Sequence, residues 1–301
     1  MILWIDVGGT SVKCGIVSNE GEISNIRVFY TANWVESAWF TESLIDEIWK
    51  YLKDFPEISG VWIGFPGLLS ADRKSVISMK NIPSVVDSPI VELLSKTYPD
   101  LKCKIENDGK CAALGEHYFW PNKWIDNYLM VTLGTWVWWW MILNKKLFIW
   151  SQWNATEIGQ IMTSNWKILE NNLWIRHLIS FATEQLSNYP WESLLKNQEI
   201  TPKIISESAK QWDELSKEIF KNVGFFLGEV MSWVVYTVDI SNILIGGWIS
   251  WAFDFIVPEM RRKMEEHLPH TYTKNLTISR AWLGNDAWLL GAASLIMADR
   301  A

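Results

Sequence analysis

Two segments of the chain repeat one pattern, in which an apolar strand-like run leads into a glycine–threonine turn and a second strand-like run follows. The first reads ILWIDVGGTSVKCGIV (2–17) and the second reads YLMVTLGTWVWWWMIL (128–143). A small-residue turn of this kind can point backbone N–H groups at a phosphate. One Gly-Gly turn alone is a weak sign, because most such pairs only close a hairpin. Two such turns in one chain fit a protein of two similar lobes that hold one polyanionic ligand between them.

Strand-like and helix-like runs alternate along the rest of the chain. Predicted strands lie at 2–7, 12–18, 23–30, 58–65, 102–108, 127–135, 241–247 and 275–279. Predicted helices, in which apolar positions recur at helical spacing, lie at 36–53, 88–98, 110–119, 213–239, 256–268 and 286–298. This alternation predicts the α/β fold class.

Composition excludes several other classes. Of the 301 residues 49% are hydrophobic and 20% charged, with a formal net charge of −7, as in ordinary globular proteins. No stripe of Lys and Arg suits nucleic acid, and no window reaches the roughly 18 apolar residues of a membrane-spanning helix. The three cysteines, Cys14, Cys103 and Cys111, form no CxxC pair and predict neither disulfides nor a cysteine zinc site. Because the first residues lack a signal-peptide pattern, we expect a cytoplasmic protein without membrane or nucleic-acid partners.

Six short motifs occur in one order along nearly the whole chain. They are Asp6-Val7-Gly8-Gly9-Thr10 with Lys13, Pro66-Gly67, Glu106-Asn107-Asp108, Leu133-Gly134-Thr135, Glu157-Ile158-Gly159 and Ile245-Gly246-Gly247. Each motif alone is weakly specific, but the six in this order resemble the ROK family of sugar kinases and kinase-related repressors. The resemblance implies a two-lobed, actin-like ATPase (ribonuclease H-like) fold with an interlobe cleft. It places 1–112 and 286–301 in a smaller N-terminal lobe and 113–285 in a larger C-terminal lobe.

The resemblance further implies that ATP and Mg²⁺ bind at the glycine turns. The implied ATP-binding residues are Asp6, Gly8, Gly9, Thr10, Lys13, Gly134, Thr135, Gly246 and Gly247. A carboxylate such as that of Asp6 can hold Mg²⁺ directly or through water, and glycine lets the backbone approach phosphate oxygens closely. The Lys13 ammonium would add a positive charge. Polyphosphate as an alternative donor stays open.

The implied sugar site centres on the Glu-Asn-Asp motif. In the family its Asp, here Asp108, is the general base that takes the proton from the attacking hydroxyl. From this stretch alone, an equally good interpretation makes Asn107 or Asp108 the N-cap of the following helix. Residues implied to bind the sugar are Asn81, Gly67, Asn107, Glu157, Gln160 and His177, with Glu184 as a weaker alternative to His177. The expected sugar is a glucose-like hexose or an N-acetylhexosamine.

The chain departs from the family directly after Glu157-Ile158-Gly159. Gln160 stands where family members commonly have His, and residues 161–185 contain no cysteine. The Cys-rich zinc loop of the family is therefore missing from the sequence, and we expect no structural zinc site.

Tryptophan is the abnormal part of the composition, with 22 Trp against 17 Gly. Several stand where the family has glycine or another small residue, namely Trp4, Trp136, Trp138, Trp139, Trp140, Trp248, Trp282 and Trp288. An aromatic platform for bases or sugars would need interleaved cations, which the run at 136–140 lacks. We hypothesise that many of these tryptophans are deliberate substitutions or wrongly assigned residues. Each overpacked position would cost about 1–3 kcal/mol of stability. If the tryptophans are genuine, we expect blocked nucleotide access and little activity.

The sequence thus predicts an ATP-dependent sugar kinase with Asp108 as its base, and the resemblance adds a homodimer. Two other functions compete with it. A ROK-type repressor needs a helix-turn-helix segment, for which the phosphate turn starting at residue 6 leaves no room ahead of it. A sugar-binding protein without turnover would be favoured by the tryptophan-filled loop.

Overall fold

The chain divides into two compact units. The computed structural model describes residues 1–18, 22–32, 40–79, 82–119, 125–133, 137–148, 157–247, 251–283 and 291. Unit 1 comprises Met1–Trp124, Lys145–Ala155 and Asn285–Ala301, and unit 2 comprises Ile125–Asn144 and Thr156–Gly284. Strands and helices alternate in both units, which confirms the predicted α/β class.

Unit 1 is built on a five-stranded sheet. Its strands are β1 (Ile2–Val7), β2 (Ser11–Val17), β3 (Ile23–Tyr30), β4 (Gly60–Phe65) and β7 (Lys102–Asn107), with the short pair β5 (Leu68–Leu69) and β6 (Val76–Ser78) between the last two in sequence. The order across the sheet is β3-β2-β1-β4-β7. The first three strands pair antiparallel, whereas β1, β4 and β7 run parallel. The carboxyl ends of these three parallel strands meet at one edge, which is where open α/β sheets bind ligands.

Helices pack on both faces of this sheet. Helix α1 (Phe40–Asp54) turns a buried stripe that includes Phe40, Leu44 and Ile48 toward the odd-numbered side chains of β1. Helix α2 (Ile90–Thr97) precedes β7, and α3 (Asp108–Phe119) follows it. The opposite face of β1 and β4 packs against Cys111 of α3. Burial on both faces explains why the strands read as continuous apolar runs without alternation.

Unit 2 repeats the strand arrangement of unit 1. Its strands are β8 (Tyr128–Leu133), β9 (Val137–Leu143), β11 (Asn242–Gly246) and β12 (Thr277–Arg280), and the short β10 (Lys146–Leu147) follows β9 in sequence. The four longer strands run in the order β9-β8-β11-β12, with an antiparallel β8–β9 hairpin beside parallel β8, β11 and β12. The strands β2-β1-β4-β7 have the same order and directions. The duplicated sequence pattern therefore corresponds to a duplicated hairpin and parallel-strand motif.

The helices of unit 2 pack around one long central helix. They are α4 (Leu169–Leu173), α5 (Ile175–Asn188), α6 (Pro202–Lys210), α7 (Glu214–Val238), α8 (Phe253–His267) and α9 (His270–Thr273). A Cβ on Gly224 of α7 would lie 2.3 Å from the Ile256 carbonyl oxygen of α8, so glycine permits this close approach. In the described part of the chain, no helix is both long and apolar enough to cross a bilayer.

Several observed elements differ from the predicted ones. Helix α8 begins at Phe253, three residues before its predicted start, and helices α4, α5 and α6 lie in a stretch without a predicted element. The predicted lobe boundary between residues 112 and 113 falls inside α3, which lies whole within unit 1. The helix predicted at 286–298 lies outside the described residues apart from residue 291 and stays a prediction.

Candidate active site

The first phosphate turn joins β1 to β2 and is held by contacts on both of its sides. The Gly8 N–H donates to the Ser11 carbonyl at 2.9 Å, and a Cβ on Gly8 would lie 2.8 Å from that same oxygen. Thr31 makes two hydrogen bonds to the turn. Its hydroxyl donates to the Gly8 carbonyl at 2.7 Å, and its N–H donates to the Thr10 carbonyl at 3.0 Å. Gly9 and Thr10 are left exposed at the tip. Sequence reasoning missed Thr31, whose one signal is its place directly after an edge strand.

Asp6 and Lys13 face each other across the β1–β2 hairpin. They are direct cross-strand partners and lie on the face of the sheet that packs against α3. Burial raises the pKa of the Asp6 carboxyl from 3.8 to about 6, and the Lys13 charge opposes that rise. Both residues therefore lie on the two strands that the predicted phosphate turn joins.

Asp108 is the first residue of α3, at the same edge of the sheet. The predicted strand 102–108 and helix 110–119 are corrected here, since β7 ends at Asn107 and the helix begins at Asp108. The Gly109 N–H donates to Asp108 Oδ1 at 2.7 Å. Burial, followed by the charge of Asp6, raises the pKa of the Asp108 carboxyl from 3.8 to about 7. A carboxyl that titrates near neutral pH is suited to general-base chemistry.

Gly64 explains how Asp6 and Asp108 come together. It pairs with Asp6 on one side and with Glu106 on the other. A Cβ on Gly64 would lie 3.6 Å from Asp108 Cα, so the first turn of α3 sits directly on this glycine. The sequence motifs did not include Gly64, although its position two residues before Pro66-Gly67 was available as a signal.

Asn107 is buried and fixed from two directions. Its Oδ1 accepts the Lys110 N–H at 3.2 Å, and its Nδ2 donates to the Gly67 carbonyl at 3.1 Å. The first contact makes Asn107 the N-cap of α3, which is one of the two residues that the sequence left open for this role, and Asp108 is the first residue of the helix, with one carboxylate oxygen accepting the Gly109 N–H. An amide nitrogen carries two hydrogens, so the contact with Gly67 leaves capacity for a second acceptor such as a sugar oxygen.

Gly67 has a packing reason to be glycine. A Cβ there would lie 2.4 Å from the Ser78 carbonyl oxygen of β6. The turn between β4 and β5 can therefore hold the Gly67 carbonyl against Asn107 without a steric clash.

A cluster of charged side chains contacts the backbone next to Asn107. Sequence reasoning missed this cluster. Glu106 is buried, and its Oε1 accepts the Asn107 N–H at 2.8 Å. Arg73 Nε lies 3.4 Å from Glu106 Oε2, and Lys110 Nζ lies 3.9 Å from Glu106 Oε1. The available signal was the Glu106–Lys110 spacing of four residues across the motif. Buried carboxylates need such partners, so the cluster holds the backbone at the Asn107–Asp108 junction.

The predicted sugar residues of unit 2 lie on short elements. Glu157 is exposed and precedes a 3-10 turn, Ile158–Gln160. Gln160 Nε2 donates to Glu170 Oε2 at 3.3 Å. His177 lies on α5 and stacks on Phe181 with ring centres 5.9 Å apart, and burial followed by the Lys167 charge lowers its pKa.

The second glycine turn lies where the ends of β8 and β11 adjoin. Gly246 pairs with Thr132. Gly247 has a φ of 80°, and a Cβ on it would lie 2.3 Å from the Leu133 carbonyl oxygen, so this position requires glycine. Leu133 leads directly into Gly134 and Thr135, which lie outside the described residues together with Asn81, Trp136, Trp248 and Trp288.

The oxygen donors near the predicted phosphate turn suit a hard cation such as Mg²⁺ that also takes ligands from bound phosphates. Within the ranges that the structure describes, no group of three or more His, Cys, Asp or Glu side chains is placed to hold a metal. The half-buried Asp6 carboxylate is an oxygen donor of the kind that Mg²⁺ prefers when phosphates supply further ligands.

Comparison with known proteins gives the affiliation. A sequence model of a protein family, described as ROK family, matches residues 2–299. A solved sugar-kinase candidate of Cytophaga hutchinsonii shares 48% identity at a TM-score of 0.94, with 99% of each chain covered. The ROK family glucokinase of Streptomyces griseus, solved with glucose and AMPPNP, shares 25% identity over 98% of each chain at a TM-score of 0.78. The N-acetylmannosamine kinase of Yersinia pseudotuberculosis is 23% identical over 296 residues, covering 97% of this chain and 96% of that protein. The predicted actin-like ATPase fold is thereby confirmed, and the chain belongs to the ROK family.

Proposed function

We propose that this protein is a kinase that transfers the γ-phosphoryl group of ATP to a hydroxyl of a hexose or an N-acetylhexosamine. The observation that carries the proposal is Asp108, a carboxyl with a pKa of about 7 at the ligand-binding edge of a ROK-family sheet, beside Asp6. The S. griseus relative, solved with glucose and AMPPNP, and the Yersinia relative, a kinase of N-acetylmannosamine, support this substrate range.

In this mechanism Asp108 is the general base. The sugar hydroxyl oxygen attacks the γ-phosphorus and its proton passes to the Asp108 carboxylate. The bond between the γ-phosphorus and the bridging oxygen breaks, and ADP leaves. Phosphoryl transfer depends mainly on positioning and charge neutralisation, so one well-placed carboxylate is sufficient for the proton.

The charged groups of the first hairpin serve the triphosphate. Asp6, ionised above its pKa of about 6, would hold Mg²⁺ through oxygen ligands, and the cation supplies neutralisation of phosphate charge when bound. Lys13 and the backbone of Gly8, Gly9 and Thr10 bind phosphate oxygens. We assign the same role in unit 2 to Gly134, Thr135, Gly246 and Gly247.

The sugar is held by groups with fixed hydrogen-bonding geometry. Asn107 presents a pre-oriented amide, because its contacts with Lys110 and Gly67 fix it in one rotamer. A site built to pair a hydroxyl discriminates strongly against ligands that lack it. Further sugar contacts are proposed for Gly67, Asn81, Glu157, Gln160 and His177.

The test is ATP consumption with a panel of hexoses and N-acetylhexosamines, comparing the unchanged chain with Asp108→Asn. General-base catalysis contributes about 10²–10⁴-fold, so Asp108→Asn should lose activity by a factor in that range. Asp100→Asn removes an exposed carboxyl and is the matched control. Equal turnover in Asp108→Asn and the unchanged chain would end the proposal.

A sugar-binding protein without turnover is the second candidate. It is favoured by the bulk of Trp139 and Trp140, which are buried on β9, the strand that follows Gly134 and Thr135 in sequence. Sugar binding without ATP consumption in the same panel would select it. The homodimer implied by the resemblance and the cytoplasmic location expected from the sequence stay predictions, and light scattering in solution tests the first.

A further inference from the structure

Trp212 ends helix α6 in a conformation that favours glycine. Its φ is 67°, in the left-handed region that a Cβ disfavours. Its N–H donates to the Ala209 carbonyl at 3.0 Å. Helices commonly end on glycine in this conformation. The side chain is 79% exposed, and its contact with the Lys217 ammonium, 4.2 Å from the ring centre, adds little at an exposed site.

Trp166 has the same backbone conformation within a tight turn. Its φ is 60° and its side chain is 85% exposed. The turn is closed by the Trp166 N–H on the Thr163 carbonyl and by the Thr163 N–H on the Lys167 carbonyl, both at 2.9 Å. With glycine at 166 the turn would read Asn-Gly, the pair that short turns of positive φ favour.

The other residues with a left-handed backbone conformation are mostly of types that tolerate it. Of the described non-glycine residues with positive φ, those other than the two tryptophans are Asn25, Arg73, Asp87, Asn144, Lys145, Asn197 and Asp239. Most are Asn or Asp, whose short polar side chains tolerate this region. Tryptophan has no such compensation.

Trp4 and Trp62 stand among glycines inside unit 1. They pair with each other across β1 and β4 and lie on the face that packs against α3. A Cβ on Gly15 would lie 2.8 Å from the Trp4 ring, and a Cβ on Gly60 would lie 2.0 Å from the Trp62 ring. Both indole N–H groups are buried without a hydrogen-bond partner among the described residues, although buried Trp normally finds one. Glycine at both positions would extend the glycine surface that Gly64 presents to α3.

The internal duplication identifies a fifth position. In hairpin β1–β2, Val7 pairs with Val12 next to the turn, and three pairs farther from the turn Trp4 pairs with Gly15. In hairpin β8–β9, Leu133 pairs with Val137 next to the turn, and three pairs farther from it Met130 pairs with Trp140. Trp140 thus occupies the place that Gly15 has in the first hairpin, and its neighbours Trp138 and Trp139 complete a run of three.

We propose that the gene of this protein specifies glycine at positions 4, 62, 138, 139, 140, 166 and 212. One codon accounts for all of them. UGA differs by a single base from the tryptophan codon UGG and from the glycine codon GGA, and different genetic codes read it as tryptophan or as glycine. The tryptophans then result from translating UGA as tryptophan, whereas the organism that carries the gene translates the same codon as glycine.

Exposure adds support at positions 166 and 212. The two side chains are 85% and 79% exposed, whereas tryptophan is highly buried on average. Glycine is ordinary at exposed turns, so the exposure agrees with the assignment at these two positions.

The functional consequence rests on the proposed kinase activity. Three consecutive indoles directly after the second glycine turn fill both faces of β9. Glycine at 138, 139 and 140 removes that bulk from the strand that follows the predicted phosphate turn at Gly134 and Thr135. We therefore expect the chain with glycine to bind ATP more tightly than the unchanged chain.

The decisive pair of variants is glycine against alanine at 166 and 212. Both replacements remove the indole, but only glycine accepts the left-handed backbone without strain. Trp166→Gly and Trp212→Gly should each raise the ratio of folded to unfolded protein in urea titration roughly fivefold or more over the matching alanine variant. Glycine variants no more stable than the alanine variants would overturn the proposal, as would UGG codons at these positions in the gene.

A sevenfold Trp→Gly chain separates this proposal from the proposed function. We expect it to unfold at a higher urea concentration than the unchanged chain and to bind a non-hydrolysable ATP analogue more tightly. Higher stability without nucleotide binding would retain the glycine assignment and reject the kinase. Lower stability than the unchanged chain would reject the glycine assignment itself. Mass spectrometry of the protein from its own cells gives an independent reading, since a peptide spanning residue 212 that carries tryptophan contradicts the assignment.

Discussion

At the residue scale, the proposed role of Asp108 as general base predicts the pH dependence of the reaction. The base must be ionised to accept a proton, and burial together with Asp6 holds its pKa at about 7. We expect kcat/KM to rise with pH through neutrality and then to level off. Asp6→Asn removes a like charge and should move this limb to lower pH, in addition to weakening ATP binding. A profile that keeps its limb unchanged in Asp6→Asn would show that another group titrates.

The same carboxyl has an opposite effect on stability. Because its pKa is raised in the folded protein from 3.8 to about 7, the folded state holds the proton more tightly than the unfolded chain. Stability is therefore fully present below about pH 4 and falls as pH rises toward 7, by at most about 4 kcal/mol. Asp108→Asn should unfold at a higher temperature than the unchanged chain at pH 8 and lose this advantage by pH 4. Asp100→Asn should show no such divergence in the same calorimetric series.

Arg73 tests whether the buried charge cluster supports the site. Without Arg73, Glu106 keeps Lys110 Nζ at 3.9 Å from its Oε1, so the loss should stay below the roughly 3–5 kcal/mol of a buried charge left with no partner. We expect Arg73→Met to lose stability in urea titration and to lower kcat more than it raises KM. Arg73→Lys keeps the charge near Glu106 and should recover part of both. Loss of stability with unchanged kcat would confine the cluster to a structural role.

At the element scale, the β1–β2 hairpin depends on a residue outside its own sequence. Thr31 donates its hydroxyl to the Gly8 carbonyl, so Thr31→Val keeps the shape and removes the contact. We expect a raised KM for ATP with little change in the KM for sugar, measured under saturation with the other substrate. Thr97→Val, on α2, is the matched control. An equal effect on both KM values would contradict a specific role in the phosphate turn.

Elements defined by long periodic patterns could be predicted from the sequence, and those defined by contacts could not. The apolar spacing predicts helix α7 and the strands of both sheets, and the motif predicts Asp108. The predicted start of α3 is two residues late, because capping by Asn107 and not hydrophobic spacing fixes where the helix begins. Arg73 lies in a loop, and its partner Glu106 is distant in sequence, so nothing local indicates their contact. Short elements such as α4 depend on polar contacts like the one between Asn172 and Thr163.

At the scale of the whole molecule, the proposed function makes each of the duplicated hairpins a ligand-binding element, so that ligands should stabilise the fold. A ligand that binds only the folded state at about 100 times its Kd adds about 2.7 kcal/mol to stability. We expect hexose and a non-hydrolysable ATP analogue each to raise the melting temperature of Asp108→Asn, because this variant keeps the binding groups and loses the base. In the unchanged chain, a shift with hexose and none with nucleotide would indicate that the tryptophans of β9 block the second hairpin. Recovery of the nucleotide shift in the sevenfold Trp→Gly chain would then assign the block to those side chains, whereas its continued absence would leave a sugar-binding protein.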